Sequence, residues 1–226
     1  TEQILRLPHS HLCYAPEEIR AMPETSYEAP VRRNGYVTFG SFNNFAKVTD
    51  EILLLWRGIL ESVRGAKLVI KGKIASIDSG LHFAKKRLSI LNYDLTRVEF
   101  RPFSPDYLEQ YRDIDIALDT APYNGGLTTC EALYMGVPVI ALRGRTHGAR
   151  FGASILTNAG VRELVAENDI NYVRRAVQLA ESPKLIDGYH AGLRTSMKKS
   201  PLMDIQGYMN ALEAAYEEIW KKFCAV

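Results

Sequence analysis

A glycine-rich turn and the helix predicted to follow it are the residues best suited to chemistry. Asn124, Gly125 and Gly126 supply the turn, because glycine tolerates backbone angles that other residues do not. Thr128, followed three residues later by Glu131, fits a capping box at the start of a helix. Backbone N–H groups and the positive end of the helix dipole make such a start a site for phosphate. The stretch therefore predicts that the protein binds a phosphorylated molecule.

A second polar loop supplies further candidate ligand contacts. Lys47 could place an ammonium group on a diphosphate and neutralise a leaving group, or it could be a solvated loop lysine. Asn43 and Asn44 could donate hydrogen bonds to a ligand, or they could shape an Asx turn. Arg150 ends a basic loop that could close over a diphosphate, or this loop could simply be solvated.

Two more sets of side chains have both a functional and a structural interpretation. Thr128, Thr129 and Glu131 could bind phosphate and ribose hydroxyls, or they could serve only to cap a helix. Tyr107, which follows a loop containing Phe103, could stack on a nucleobase or take part in ordinary packing.

Composition and missing motifs exclude several function classes. The 226 residues carry a net charge of +2, which gives no case for a nucleic-acid or membrane surface by bulk electrostatics. The three cysteines form no C-x-x-C pair, so neither a disulfide framework nor a zinc site is supported, and a cytoplasmic setting is the default. The sequence has no G-x-G-x-x-G after a strand and no phosphate-binding G-x-x-x-x-G-K-[ST], so dehydrogenase and P-loop kinase functions are disfavoured.

Strands alternate with helices of about ten residues along the first two thirds of the chain. Apolar patterns predict strands at 35–40, 66–71, 97–100, 114–118 and 137–142. They also predict helices at 50–60, which Thr49 can cap, at 79–91 and at 128–135, and a short helix from Ser104-Pro105. This alternation predicts an α/β fold with a Rossmann-like, doubly wound parallel sheet. Ligands then bind at the carboxyl ends of the strands, where the loops 41–47, 101–104 and 120–127 lie. After residue 150, helices are predicted at 151–158, 170–180, 183–197 and 203–223.

Three segments resemble the catalytic C-terminal region of the SPINDLY and O-GlcNAc transferase family. They are VTFGSFNNFAKVTDEILLLW, ALDTAPYNGG-LTTCEALYMGVPV and THGARFGASILTNAG, and the resemblance extends from about residue 5 to the end of the chain. The resemblance implies the C-terminal lobe of a GT-B glycosyltransferase, which binds the nucleotide sugar. It also implies that a missing N-terminal lobe, together with tetratricopeptide repeats, presents the protein acceptor. On this basis we expect residues 1–34 to be a leader from that missing lobe. Residues 35–200 would form the nucleotide-sugar-binding domain and 201–226 a C-terminal helix that packs back.

The same resemblance assigns expected roles to individual residues. Lys47 matches a lysine that contacts the donor diphosphate and is needed for activity. Glu131 matches an acidic position that contacts ribose, and Tyr107 stands where O-GlcNAc transferases have a histidine near the nucleoside. The complete expected donor site comprises Lys47 as catalytic residue with Asn43, Asn44, Phe103, Tyr107, Asn124, Gly125, Gly126, Leu127, Thr128, Thr129, Glu131 and Arg150.

Two departures from the family pattern leave the donor open. Tyr107 replaces the histidine, and Gly126-Leu127-Thr128 stands in place of a His-Thr-Thr run, which weakens a direct carry-over of UDP-GlcNAc. Because SPINDLY resembles O-GlcNAc transferase but transfers fucose from GDP-fucose, the resemblance leaves both UDP-GlcNAc and GDP-fucose as candidate donors. The expected function is the donor-binding half of an inverting protein O-glycosyltransferase that acts on Ser/Thr, without metal or other cofactor. We expect the chain to be inactive without its N-terminal lobe. The alternatives are a non-catalytic nucleotide-binding module and a nucleotide-sugar epimerase of GT-B architecture.

Overall fold

Six parallel strands form one sheet in the computed structural model of the chain, which describes residues 4–16, 21–26 and 28–225. The strands are β1 (Thr38–Ser41), β2 (Lys67–Lys71), β3 (Val98–Arg101), β4 (Ile116–Leu118), β5 (Val139–Leu142) and β6 (Val165–Ala166). Their order across the sheet is β3-β2-β1-β4-β5-β6, and each neighbouring pair is parallel. The predicted doubly wound α/β fold is confirmed, with the strand order of a Rossmann fold.

Helices connect the strands and continue after the sheet. They are α1 (Val31–Asn34), α2 (Asp50–Ser62), α3 (Asp78–Ile90), α4 (Leu127–Tyr134), α5 (Phe151–Asn158), α6 (Asp169–Ala180), α7 (Pro183–Lys198) and α8 (Ile205–Cys224). The predicted cap of α2 is confirmed, because the Thr49 hydroxyl oxygen accepts the Ile52 N–H at 3.3 Å. Helix α2 packs against α6, and α4 packs against α7.

Two predicted elements differ from the structure, and one strand was not predicted. The first strand begins at Thr38 rather than residue 35, because Gly35 has a φ of 73° and ends α1. The prediction of a short helix from Ser104-Pro105 is wrong, because residues 105–108 form a turn. This turn leads into a 3₁₀ helix, Glu109–Asp113. Strand β6 was not predicted, because two residues are too few to show an apolar alternation.

A chain of buried hydrogen bonds joins α2 and α6 to the sheet. The indole N–H of Trp56 donates to the Tyr172 hydroxyl at 3.0 Å, and this hydroxyl donates to the main-chain carbonyl of Asp119 at 2.9 Å. Trp56 and Tyr172 are fully buried. The carboxyl end of β4 is thereby fixed to both helices.

The described residues among 1–34 contact later parts of the chain. Tyr14 donates its N–H to the Leu202 carbonyl at 2.7 Å, and the N–H of Val31 donates to the buried carboxylate of Asp115 at 2.7 Å. Near the other terminus, the Tyr208 hydroxyl of α8 donates to the His11 carbonyl at 3.2 Å. The boundaries of the three predicted segments stay a prediction.

Helix α8 exposes several large apolar side chains. Met209, Tyr216, Ile219 and Trp220 are all exposed, and no described residue of this helix is buried. Across the described ranges, every helix is too short or too polar to cross a membrane.

Gly136, which follows α4, gives a test of the packing around this helix. It has a φ of +84°, and a Cβ atom there would lie 2.8 Å from the carbonyl oxygen of His190. Both features are unfavourable for alanine, so we expect Gly136→Ala to lower the free energy of unfolding by about 1–3 kcal/mol. Urea unfolding followed by circular dichroism measures this loss.

Gly188 provides the matched control for this substitution. It lies inside α7, and a Cβ atom there would meet nothing within 4 Å. We expect Gly188→Ala to stabilise the protein by about 0.5–1 kcal/mol, because alanine is the better helix former. A Gly136→Ala variant as stable as the wild type would contradict the described packing between α4 and α7.

Candidate functional site

The candidate site lies where the winding direction of the sheet reverses. The chain runs outward from β1 to β3 and then returns to β4 beside β1, so β1 and β4 are neighbours. Their following loops leave the carboxyl edge of the sheet in different directions, and a crevice opens between them. The loop after β1 carries Asn43 and Lys47, and the loop after β4 carries Asn124 and Gly125.

Helix α4 begins at this crevice. Its first intrahelical hydrogen bond runs from the Cys130 N–H to the Gly126 carbonyl at 3.1 Å. The N–H groups of Leu127, Thr128 and Thr129 precede that bond and have no carbonyl partner within the helix. Leu127 is 61% exposed, so the helix start is open at the surface. This is the geometry that binds phosphate at helix N-termini.

The predicted capping box is wrong. Gly126 occupies the N-cap position, and no side chain caps this helix. The Thr128 hydroxyl instead donates across the crevice to the Asn43 side-chain oxygen at 2.7 Å. Glu131 accepts a hydrogen bond from the Tyr107 hydroxyl rather than from the backbone of the cap. Because neither side chain covers the helix start, its N–H groups stay available to a ligand.

Asp119, which the sequence did not single out as a site residue, joins the two loops. Its Oδ1 atom accepts the N–H of Gly125 at 2.7 Å and the N–H of Thr120 at 2.8 Å. The same atom accepts a hydrogen bond from the Asn43 side chain at 3.3 Å. The only sequence signal was its position at the end of a strand that precedes a glycine turn.

Lys47 reaches across the crevice from the β1 loop to the β4 loop. Its Nζ atom donates to the Asn124 carbonyl at 3.1 Å and lies 4.4 Å from the centre of the Tyr123 ring. Burial lowers the pKa of Lys47, and the nearby Asp119 opposes this shift. The half-buried ammonium therefore lies against the turn that precedes α4.

The remaining asparagines and glycines mainly shape the loops. The buried Asn124 side chain donates to the Thr120 carbonyl at 2.8 Å and accepts the Gly152 N–H at 3.3 Å. The side chain of Asn44 accepts the Ala46 N–H at 3.1 Å, so this residue forms an Asx turn, which was one of the two interpretations of its role. A Cβ atom on Gly125 would lie 2.5 Å from the Thr129 hydroxyl oxygen, so only glycine fits there.

The expected nucleoside contacts lie beside the loop after β3. Phe103 is 54% exposed, and its ring centre is 6.4 Å from that of the half-buried Tyr107. Glu131 is 1% exposed and is hydrogen-bonded to the Tyr107 hydroxyl. In this arrangement the side chain of Tyr107 is more accessible than the carboxylate, so a ribose contact by Glu131 stays a prediction.

Arg150 is exposed and donates to the Gly144 carbonyl at 3.1 Å. Its loop reaches the crevice through Gly148, whose carbonyl accepts the Asn124 N–H at 3.0 Å. A Cβ atom on Gly148 would lie 2.9 Å from the Tyr123 ring, so the two loops are closely packed at this point. A donor contact by Arg150 stays a prediction.

Comparison with known structures places this fold among glycosyltransferases. A mutant O-GlcNAc transferase of Thermobaculum terrenum superposes with a TM-score of 0.84 at 29% identity, covering 99% of this chain and 42% of that chain. HepE of Anabaena, solved with UDP and glucose, gives a TM-score of 0.57 at 13% identity over 87% of this chain and 51% of that one. The second similarity concerns the fold alone. Together they confirm the predicted GT-B type of Rossmann-like lobe.

Sequence comparison identifies the family. The model described as Glycosyl transferase family 41 matches residues 14–212. The probable UDP-N-acetylglucosamine–peptide N-acetylglucosaminyltransferase SPINDLY of Eustoma exaltatum subsp. russellianum is 40% identical over 226 residues, covering 99% of this chain and 24% of that protein. The protein of the same description from Arabidopsis thaliana is 40% identical over 228 residues, with the same shares covered. The chain thus spans about a quarter of the length of these relatives. With most of its residues matched by the family model, the chain belongs to glycosyl transferase family 41, the family of SPINDLY and O-GlcNAc transferase.

Proposed function

We propose that this chain is the donor-binding half of a protein O-glycosyltransferase. The crevice between the loops after β1 and β4 would hold the diphosphate of a nucleotide sugar. The observation that carries this proposal is that a cation from one loop lies against the loop that leads into a helix. Lys47 donates to the Asn124 carbonyl at 3.1 Å, and α4 begins three residues after Asn124. A cation and a helix N-terminus therefore lie beside the same glycine turn.

The chemistry of sugar transfer explains why both features are needed. When the bond between the sugar and the diphosphate breaks, negative charge develops on the departing diphosphate. Fixed donors aimed at that charge stabilise the transition state without having to reorganise. The first N–H groups of α4 would bind one phosphate, and the Lys47 ammonium would balance the charge that the nucleoside diphosphate acquires. Metal independence and inversion at the anomeric carbon are part of this proposal.

The nucleoside would extend from the diphosphate toward the loop after β3. Phe103 and Tyr107 present aromatic rings there, and stacking on a base is worth roughly 1–3 kcal/mol. A stacked ring accepts uracil and guanine alike, so these residues leave UDP-GlcNAc and GDP-fucose both as donors. The descriptions of the plant relatives name UDP-N-acetylglucosamine as their donor.

The acceptor side of the reaction would be supplied by other parts of the protein. The plant relatives are about four times as long as this chain and are described as peptide glycosyltransferases. We therefore assign binding of the Ser/Thr acceptor protein to an N-terminal lobe and tetratricopeptide repeats, and the catalytic base to that lobe. A cytoplasmic location is also part of this proposal.

Titration calorimetry with UDP and GDP, followed by a transfer assay on the full-length protein, tests the proposal. We expect one of the two nucleotides to bind at least tenfold more tightly than its nucleoside, because the diphosphate supplies most contacts. The full-length protein should then transfer the matching sugar to protein. Binding without transfer by the full-length protein would support a non-catalytic module, and conversion of free donor without any acceptor would support an epimerase.

A further inference from the structure

We propose that Asp119 is the positioning residue of the diphosphate crevice and that its charge state controls how strongly the diphosphate binds. This inference rests on the proposed function, since it assumes that the crevice receives a diphosphate. It concerns a residue that would touch no substrate atom and would act through Gly125, Asn43 and Lys47.

The positioning role follows from the three hydrogen bonds to one oxygen. Asp119 Oδ1 accepts from Thr120 and Gly125 on its own loop and from Asn43 on the opposite loop. Asn43 in turn accepts from the Thr128 hydroxyl in the first turn of α4 at 2.7 Å. One carboxyl group therefore sets the distance between the β1 loop, the glycine turn and the helix start.

The second oxygen of Asp119 is in a very different environment. Oδ2 is buried, and no hydrogen-bond partner for it is found within the described part of the chain. A Cβ atom on Gly152 would lie 2.7 Å from this oxygen, so the space beside it is closed. A buried carboxylate with an unsatisfied oxygen is costly, whereas the protonated carboxylic acid carries no net charge.

Lys47 is the cation that faces Asp119 among the residues described. The loop after β1 contributes Lys47 and the amide of Asn43, α6 contributes Tyr172, and the 3₁₀ helix before β4 contributes Tyr111. Both tyrosines are buried, and burial holds the pKa of each phenol well above its usual range, so they stay neutral. The charge balance at Asp119 therefore depends on Lys47.

Diphosphate binding would change that balance. Burial raises the pKa of Asp119 to about 7, and the N–H groups of Gly125 and Thr120 and the charge of Lys47 limit the rise. A bound diphosphate adds negative charge and engages Lys47, so it raises the pKa of Asp119 further. The protonated form then binds diphosphate more tightly than the ionised form, and affinity falls as pH increases through about 7.

Two substitutions separate the acceptor role of Asp119 from its charge. Asp119→Asn keeps an oxygen that can accept the three hydrogen bonds and has no charge at any pH, whereas Asp119→Ala removes both. The experiment measures the dissociation constants of UDP and GDP by calorimetry for wild type and both variants between pH 6 and pH 8.5. The phosphates of the free nucleotide titrate in the same range, but this titration is common to all three proteins and cancels in the ratio of wild-type to variant dissociation constants. The remaining pH dependence of the ratio reports the coupling between residue 119 and the bound diphosphate.

We expect the ratio of the wild-type constant to the Asp119→Asn constant to be near one at pH 6. The ratio should rise to about tenfold at pH 8.5 for a diphosphate that raises the pKa of Asp119 by about one unit, because one pKa unit corresponds to a factor of ten in affinity. Asp119→Ala should bind weakly at every pH. Hydrogen exchange without nucleotide adds an independent readout, since the Gly125 N–H should exchange faster in Asp119→Ala than in wild type or Asp119→Asn.

Asp115 serves as the matched control. It is a second buried aspartate whose pKa is raised by burial, to about 6, but it precedes β4 and binds the N–H groups of Val31 and Thr38. Asp115→Asn should lower stability and leave the pH dependence of nucleotide binding unchanged. If the dissociation constants of wild type and Asp119→Asn change with pH in parallel, this inference is overturned and the proposed function is not. A wild-type protein that binds neither nucleotide at any pH would overturn the proposed function, and the inference with it.

Discussion

Lys47→Ala is expected to abolish sugar transfer by the full-length protein while the chain stays folded. Removing one preorganised donor from a developing negative charge commonly costs roughly 3–4 kcal/mol of barrier, which is a loss of about 10²–10³-fold in kcat. The substitution also removes one hydrogen bond, to the Asn124 carbonyl, and one contact with the Tyr123 ring. These contacts lie at a half-buried site, so we expect the free energy of unfolding to change by about 1 kcal/mol or less. Single-turnover transfer and urea unfolding measure the two effects.

Lys67 offers a control that matches the local chemistry of Lys47. Its Nζ atom lies 4.4 Å from the Tyr36 ring, the same distance that separates Lys47 from Tyr123. Lys67 begins β2 and lies at the opposite end of the sheet from the crevice. We expect Lys67→Ala to retain full transfer. Near-wild-type turnover by Lys47→Ala would refute the placement of the diphosphate beside this residue.

Gly125→Ala is expected to have the second largest effect, through the shape of the crevice rather than its charge. A Cβ atom at this position would lie 2.5 Å from the Thr129 hydroxyl oxygen, 2.7 Å from that of Thr128 and 2.8 Å from the side-chain oxygen of Asn43. These short side chains cannot move far, because Thr129 and Asn43 are buried. The turn must shift, which breaks the hydrogen bond between Thr128 and Asn43 and moves the start of α4. We expect nucleotide affinity to fall at least tenfold and stability to fall by about 1–3 kcal/mol.

Gly58→Ala tests whether any glycine substitution has this effect. Gly58 lies in α2, and a Cβ atom there meets nothing within 4 Å. We expect this variant to bind nucleotide as the wild type does. Calorimetry measures the nucleotide affinity of both variants, and circular dichroism confirms that they are folded. A Gly125→Ala variant that folds and binds nucleotide normally would show that the turn is not part of the ligand site.

Local patterns predict those features that depend on neighbouring residues. The α/β alternation and the cap at Thr49 are confirmed because apolar spacing and capping each involve residues within one element. The capping box at Thr128 fails for the opposite reason. Its hydroxyl is used by Asn43, which lies 85 positions earlier and becomes adjacent only when β1 and β4 pair.

The same argument explains why Asp119 was not identified from the sequence. Its position after a strand is visible, but its function depends on Asn43 and Gly125 arriving from two separate loops. A local pattern contains neither the strand order nor the closed space beside Oδ2. The resemblance to a family predicts that Lys47 contacts a diphosphate, and the structure adds Asp119, whose hydrogen bonds join the surrounding loops.

The hydrogen-bonded chain from Trp56 through Tyr172 to Asp119 has a practical consequence for spectroscopy. The protein has two tryptophans, and they occupy opposite environments, since Trp56 is fully buried and Trp220 is 64% exposed. A soluble quencher such as acrylamide therefore suppresses the emission of Trp220 and spares that of Trp56. The remaining fluorescence then comes from Trp56, which is two hydrogen bonds away from the main chain of Asp119, so a change in it on adding nucleotide would report binding at the crevice.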